Sequence, residues 1–347
     1  MIGLPKVLGA VCILLFALIS GCSSGRTPEQ TWVDDEVSFD AAGVTVHGTY
    51  RHQPGIVGPA ALLISESGNT DRNGDNAVAG PVGNMRQLAE FLSGHGVATL
   101  RYDKIGTGVT GLGRYAGHPQ DVGSAVYTDG ARAAIRFLAG QPDTDVSRVS
   151  VYALGEGTLH AMALATDGAP GAPKIHSLGL LQPLAGRYLD LITTRVRNDT
   201  AAAVRDGAKT QQQADAVVAA WSAAVAQARE SGTVSATPLP DGLSALLGPG
   251  NVKAVVEADR IDPLAEAAAI PAATPVLLTC SNSDAQADCA DMTPLIDALA
   301  HTKLTVLRLK GVNHVLRDDP TDNVANYARK DPLSPQLTDA LKVFLGQ

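Results

Sequence analysis

Asp284 and His314 each stand in a polar loop that follows a short apolar run, residues 275–280 (PVLLTC) and 304–309 (LTVLRL). An acid and an imidazole delivered by successive strands are two parts of a nucleophilic relay. The imidazole takes a proton from the nucleophile, and the acid holds the imidazole in the correct tautomer. The third part belongs earlier in the chain, on a sharp strand-to-helix turn that projects a nucleophile from a strained backbone. Such a turn is present where residues 149–153 (VSVYA) run through Leu154-Gly155-Glu156-Gly157-Thr158 into a helical pattern. Gly155 takes the nucleophile position. Glycine tolerates the positive φ of such a turn, but it carries no hydroxyl.

Three hydroxyls could act in its place: Thr158, one helical turn on, and Ser65 or Ser67 in the loop 65–74 (SESGNTDRNG). The plainer reading of Thr158, as a first-turn residue bonding backbone, is preferred. The backbone N–H groups of the 65–74 loop can receive an oxyanion. Asp71, Asn73 and Asp75 loosely suggest a calcium loop, but the glycine falls at the wrong position and no metal is expected. No metal-like spacing joins His118 to His160, so these histidines, with Glu156, read as packing or solvent-facing residues. No cofactor is implied.

The elements that would position these residues alternate. Residues 36–39 and 44–50 read as two strands around an Asp40-Ala41-Ala42-Gly43 turn. Apolar runs at 60–65, 97–102, 149–153 and 177–181 follow, as parallel strands buried on both faces should read. Helical patterns at 84–94, 124–139 and 156–166 separate them, and a helix at 292–301 and another at 335–345 complete the alternation. The expectation is an α/β fold with a mostly parallel, doubly wound sheet. Residues 187–260 show no strand pattern: Leu189, Ile192 and Val196, then Val218, Trp221 and Val225, recur at helical intervals, with a break at Asp206-Gly207. Residues 186–261 therefore read as a helical cap over the strand ends, its apolar residues docking on the core, with the core itself at 36–185 and 262–347.

The 347 residues are 45% hydrophobic but only 4% aromatic, so core and pocket are built from small and branched aliphatic side chains. The first 22 residues have the parts of an export signal: Lys6, an apolar run at 7–19, and Ser20-Gly21 before Cys22. Leu18 to Cys22 resembles the bacterial lipobox, which makes Cys22 the lipidated first residue and residues 23–35 a flexible tether. The expected location is the cell envelope, with the lipid holding the chain on the outer face of the plasma membrane. The net charge of −8 becomes more negative once Lys6 leaves, which argues against nucleic acid as a partner. Cys12 leaves with the signal and Cys22 takes the lipid. Cys280 and Cys289 then remain in an oxidising compartment, where a disulfide is expected and two buried thiols are the alternative.

Residues 61–74 (ALLISESGNTDRNG), 100–111 (LRYDKIGTGVTG), 153–161 (ALGEGTLHA), 277–286 (LLTCSNSDAQ) and 311–316 (GVNHVL) resemble successive motifs of bacterial α/β-hydrolases of the esterase and prolyl-oligopeptidase-like branch. The resemblance places Asp284 and His314 at triad positions and makes the N–H groups of Glu156 and of Glu66 or Ser67 the oxyanion donors. The chain departs from the family at Glu66-Ser67-Gly68, where members read G-S-G, at Ile105, where they have arginine, and at 153–157, where they read G-H-S-E-G. A Glu66 carboxylate pointing inward is expected to repel a developing oxyanion. The functional expectation is an impaired hydrolase that binds an apolar or acyl ligand, or a partner. A working esterase with a displaced nucleophile is the alternative, and an envelope scaffold without pocket function the third class.

Overall fold

The computed structural model describes residues 31–346; the expected leader, Cys22 and the first part of the tether lie outside the described residues. β1 (Val33–Ala41) and β2 (Val44–His52) form a hairpin, and β2 runs antiparallel to β4 (Ala98–Tyr102). The remaining strands, β3 (Gly58–Ile64), β5 (Thr144–Leu154), β6 (Leu178–Leu181), β7 (Pro275–Ser281) and β8 (Lys303–Leu309), pair in parallel. The sheet order is β1-β2-β4-β3-β5-β6-β7-β8.

Alternation along the central strands feeds two apolar layers. In β3, Ala60, Leu62 and Ile64 face one layer, while Ala61 and Leu63 face the other. The first layer is completed by α2 (Ser124–Ala139), α3 (Gly157–Ala165) and α8 (Thr293–Leu299), through Ile135, Leu138, Met162 and Leu295. The second is completed by α1 (Asn84–Ser93) and α9 (Pro335–Leu345), through Met85, Leu88, Leu337 and Phe344. Burial on both faces is why these strands read as continuous apolar runs.

β1 begins at Val33, so Val33, Asp34 and Asp35 belong to the sheet edge and not to a tether. Its acids lie on an edge strand and are matched across the hairpin, Asp34 with Arg51 at 3.1 Å and Asp35 with His52 at 3.0 Å. Polar residues in such a strand mask it from a search for apolar runs.

Between β6 and β7 the chain is helical: α4 (Tyr188–Arg205), α5 (Gln211–Ser231), α6 (Val252–Arg260) and α7 (Pro263–Ala269). Gly207, at φ 73°, separates α4 from α5, and Thr210 and Gln213 close a capping box at the start of α5. The apolar residues of α4–α6 do not dock singly on the sheet; Leu189, Val196, Val217, Trp221, Val225 and Val256 form a cluster of their own. Val217, not Val218, faces inward, in phase with Trp221 and Ala228. The insertion is clamped to the core where α6 meets α2: Glu257 accepts the Ala125 N–H at 3.3 Å, and Lys253 donates to Asp121 O at 3.1 Å.

Candidate active site

Gly155, Asp284 and His314 lie beyond the carboxyl ends of β5, β7 and β8, where open α/β sheets bind ligands. Asp284 Oδ2 meets His314 Nδ1 at 2.7 Å, and both side chains are buried. Asp284 Oδ1 accepts the N–H groups of Gln286 and Ala287, so the carboxylate cannot rotate without losing them. The disulfide Cys280–Cys289 closes the loop that carries Asp284. Asp322 holds the His314 segment, accepting its backbone N–H at 2.9 Å and the Tyr327 hydroxyl at 2.5 Å.

The third place in this relay is filled from another loop. Gly155 has φ +55°, as a nucleophile turn requires. A Cβ built on Gly155 would lie 2.0 Å from Glu66 Oε2 and 2.6 Å from its carboxyl carbon. The Glu66 carboxylate thus occupies the volume that a side chain at 155 would enter. Its Oε2 is hydrogen-bonded to His314 Nε2, and its Oε1 accepts the Ser67 N–H at 2.7 Å. Glu66 does point inward, but it engages the histidine and itself consumes one of the expected oxyanion donors. It is held as a carboxylate product would be, one oxygen on the histidine and the other on a backbone amide.

Charge distribution follows from this geometry. Burial opposes ionisation of Glu66, but the charge and hydrogen bond of His314, with the Ser67 N–H, outweigh it and bring the carboxyl down from 4.5 to about 2. Burial likewise disfavours charge on His314, yet Asp284 and Glu66 together raise it well above 6.5. The raised His314 and the lowered Glu66 favour an imidazolium–carboxylate pair at neutral pH. A histidine in that state is a proton donor and not a general base.

Two buried cations aim the Glu66 loop. Lys104 donates to Glu66 O, with Ser65 O at 3.5 Å, and lies 5.7 Å from the Tyr127 ring centre. Arg72, one turn further along, donates its backbone N–H to Asp103 and its guanidinium to Glu36 and Thr49. The sequence displays Lys104 inside a quoted motif, LRYDKIGTGVTG, but nothing in its spacing shows that it grips a loop nearly forty residues earlier.

The other candidates are placed as follows. Thr158 donates to Gly155 O at 2.6 Å and Ser65 to Thr70 O at 3.1 Å, so both hydroxyls serve backbone carbonyls. Ser67 stands beside Glu66, and the Nε2 partner of His314 is Glu66. Asp71 Oδ1 accepts the N–H groups of Asn73 and Asp75 in a local turn, Asp75 accepts the N–H of Gly83 across the loop, and Asn73 Oδ1 accepts from Arg101 of β4. His118 is exposed, whereas His160 is buried and bonded to Thr128 at 2.9 Å, its pKa pushed down to about 3 by burial and then by Lys104. Burial raises the Glu156 carboxyl against the pull of Lys104.

A cavity of about 310 Å³ opens beside the carboxylate–imidazole pair. Glu66, Ser67 and His314 border its inner end, amide side chains such as Asn76 and Gln286 its walls, and Val78, Val315 and Val324 its apolar surface. This volume stands at the lower end of small-molecule sites.

No family model matches the chain. Two curated relatives, the uncharacterized proteins Rv2307c and MT2364 from two strains of Mycobacterium tuberculosis, are each 31% identical over 160 residues, 45% of this chain and 50% of theirs. The chain thus spans about half the length of the curated relatives it matches. Among solved structures, the Pyrococcus furiosus esterase Pf2001 superposes with a TM-score of 0.56 at 15% identity, covering 99% of this chain and 95% of that one. Est1E of Butyrivibrio proteoclasticus, solved with ferulic acid bound, gives 0.54 at 16% identity over 89% and 97% of the two chains. The α/β hydrolase GrgF of Penicillium sp. sh18 gives 0.51 at 16% identity, over 81% and 91%. What these structures share with the chain is architecture: the chain has the α/β-hydrolase fold.

Proposed function

We propose that this chain is a hydrolase-fold protein impaired in serine-type ester hydrolysis, which receives a small apolar or acyl ligand in the cavity beside Glu66 and His314. The observation that carries this reading is the Glu66 carboxylate in the seat above Gly155, paired with the histidine that would otherwise activate a nucleophile. Loss of a serine nucleophile costs about 10⁶ in kcat, and the remaining binding and oxyanion contacts supply only about 10³ to 10⁴ over water. Here one of those donors, the Ser67 N–H, is also engaged. The apolar or acyl character of the ligand rests on the valines of the cavity. That Est1E, of the same fold, was solved with ferulic acid agrees with it.

A panel of aryl esters from acetate to octanoate, assayed with the purified protein, tests this. The expected result is no hydrolysis that depends on His314. Turnover that disappears in His314→Ala, or labelling of Ser67 by a fluorophosphonate, would overturn the reading in favour of a displaced nucleophile.

The lipid anchor belongs to the same proposal. Lys6, the apolar run 7–19 and the Leu18-to-Cys22 sequence support export and lipidation at Cys22, with the protein on the outer face of a bacterial plasma membrane.

A further inference from the structure

The sheet has two ends, and the cavity stands at only one of them. Glu66 follows β3 and His314 follows β8, so the cavity opens at the carboxyl ends of the parallel strands. The chain enters the sheet at the other end. Val33, at the start of β1, pairs with His52, the last residue of β2, and Arg51 pairs with Thr99 near the start of β4. Trp32 therefore lies at the amino ends of the parallel strands, half-buried, with the Arg51 guanidinium 6.0 Å from its ring centre.

That same end carries an exposed aliphatic patch. Ile56 and Val57, 40% and 63% exposed, lie on the connection from β2 to β3. Val146, 60% exposed, stands in the bulge of β5, where Gly58 pairs with Thr144 but Ala60 pairs with Val149. The Gly58–Thr144 pairing brings the two segments side by side, and Asp143 fixes the turn between them, its Oδ1 accepting the Gly55 N–H at 3.1 Å and its O the Gly58 N–H at 3.0 Å. Exposed aliphatics scattered singly are ordinary, but a group of them marks a contact surface. Charge at this end runs against that of the chain. Lys174, before β6, and Lys303, at the start of β8, are exposed, and their ammonium groups have no partner among the described residues. The acids of the neighbouring segments are engaged: Asp143 by His52, Asp145 by Arg148 and Ser147, and Asp167 by Arg132. In a chain of net charge −8, two unpaired cations thus flank an apolar patch.

We infer that this end of the sheet rests on an anionic lipid bilayer, with Ile56, Val57 and Val146 in the headgroup layer and Lys174 and Lys303 on the phosphates, and that the cavity opens toward water. The inference rests on the reading of Cys22 as the lipidated residue. Ten residues separate Cys22 from Trp32, at most about 35 Å of fully extended chain. β3 alone covers about 20 Å from Gly58 to Ile64, and the Glu66 loop lies beyond it. The amino ends of the strands meet the bilayer at any extension of those ten residues. The cavity reaches it only by turning the domain over, which uses most of that length and leaves the patch in water. Tryptophan concentrates at the headgroup level, where Trp32 would stand, and aliphatic side chains flanked by lysines suit a surface that lies on a membrane without crossing it. The ligand of the cavity is then a molecule that arrives through water, and not a lipid drawn from the bilayer beneath.

The test uses the full lipidated chain in vesicles of equal parts phosphatidylcholine and phosphatidylglycerol, with one environment-sensitive fluorophore on Val57→Cys, Val146→Cys, Val78→Cys or Val324→Cys. The lipid closes Cys22 and the disulfide closes Cys280 and Cys289, so the introduced thiol is the one that reacts. Emission from positions 57 and 146 should shift to the blue and be quenched by spin-labelled lipid, while positions 78 and 324 behave as in buffer. Lys174→Glu combined with Lys303→Glu should reduce the quenching at 57, as should ~1 M salt, which shortens the screening length to about 3 Å. No shift at 57 and 146, an equal shift at 78 and 324, or quenching that neither the charge reversal nor salt reduces overturns the inference and leaves lipidation standing. A blue shift without quenching by the lipid means that a protein covers the patch, and overturns it too. Lipidation fails separately, when mass spectrometry of the purified chain finds Cys22 unmodified, and the inference falls with it.

Discussion

Glu66 and Gly155 compete for one volume, and substitution can separate them. In Gly155→Ser the new Cβ falls 2.0 Å from Glu66 Oε2 and 2.7 Å from Oε1, against ordinary contact beyond about 3.4 Å. The carboxylate has to retreat by more than ~1 Å and abandon His314. Serine at φ +55° adds about 1–2 kcal/mol of backbone strain. Breaking a buried ion pair costs about 3–5 kcal/mol. The sum predicts a melting temperature lower by roughly 10 °C for a domain of this size. Activity should not appear, since the displaced carboxylate stays beside the new serine and holds the Ser67 N–H, one of the expected oxyanion donors. Gly155→Ser combined with Glu66→Gly vacates the seat and frees the Ser67 N–H. A complete relay is worth about 10⁶ in kcat, and a misplacement near 1 Å forfeits about 10² of it, so a gain of ~10⁴ over wild type is expected. The assay is hydrolysis of an aryl acetate by wild type, both single variants and the double variant, with melting curves in parallel. A single Gly155→Ser variant as active as the double one would refute the reasoning. So would a folded double variant no faster than Glu66→Gly alone.

The Glu66–His314 pair also sets how stability varies with pH. Glu66 is depressed from 4.5, so its contribution is present above that value and lost as pH falls toward 2; His314 is raised, so its contribution is full below 6.5 and lost as pH climbs through its elevated value. Thermal melts of wild type against Glu66→Gln should therefore differ most between pH 4.5 and 6.5, by roughly 3 kcal/mol counted once for the pair, and converge on either side. A difference that does not change with pH would contradict this. For the lipid anchor, a palmitate analogue fed to cells expressing the chain should label it, and Cys22→Ser should abolish the label; labelling that survives the substitution removes Cys22 as the acceptor.

Much of this arrangement is legible before any coordinates. The central strands announce themselves because both faces are buried, and α2 and α9 begin and end where their patterns do. The Gly155 turn and the meeting of Asp284 with His314 follow from strand order alone, since both are fixed by regular elements. The direction of Glu66 does not. A loop side chain points where distant contacts send it, and here Lys104 and the Arg72–Asp103 pair do the aiming across thirty or more residues. The sequence showed a carboxylate where glycine was expected; only the packing shows that it fills the space left by the missing serine. The start of β1 and the phase of α5 were hidden for simpler reasons. An acidic edge strand has no apolar run, and adjacent valines at 217 and 218 leave the inward face undecided by one residue.

The open cavity reaches the surface past Val78 and Val324, both exposed, between the loop that bears Glu66 and the segment after β8. Behind Ser67 and Gly68, which border both spaces, Lys104, Tyr127, Glu156 and His160 close around a space too small for a water molecule. None of the residues bordering the open cavity belongs to α4–α6, so a ligand that entered it would pass between two loops. Because the Glu66 loop is itself one wall of that passage, any molecule that shifts the wall on entering also shifts the carboxylate, which makes access and reactivity a single motion.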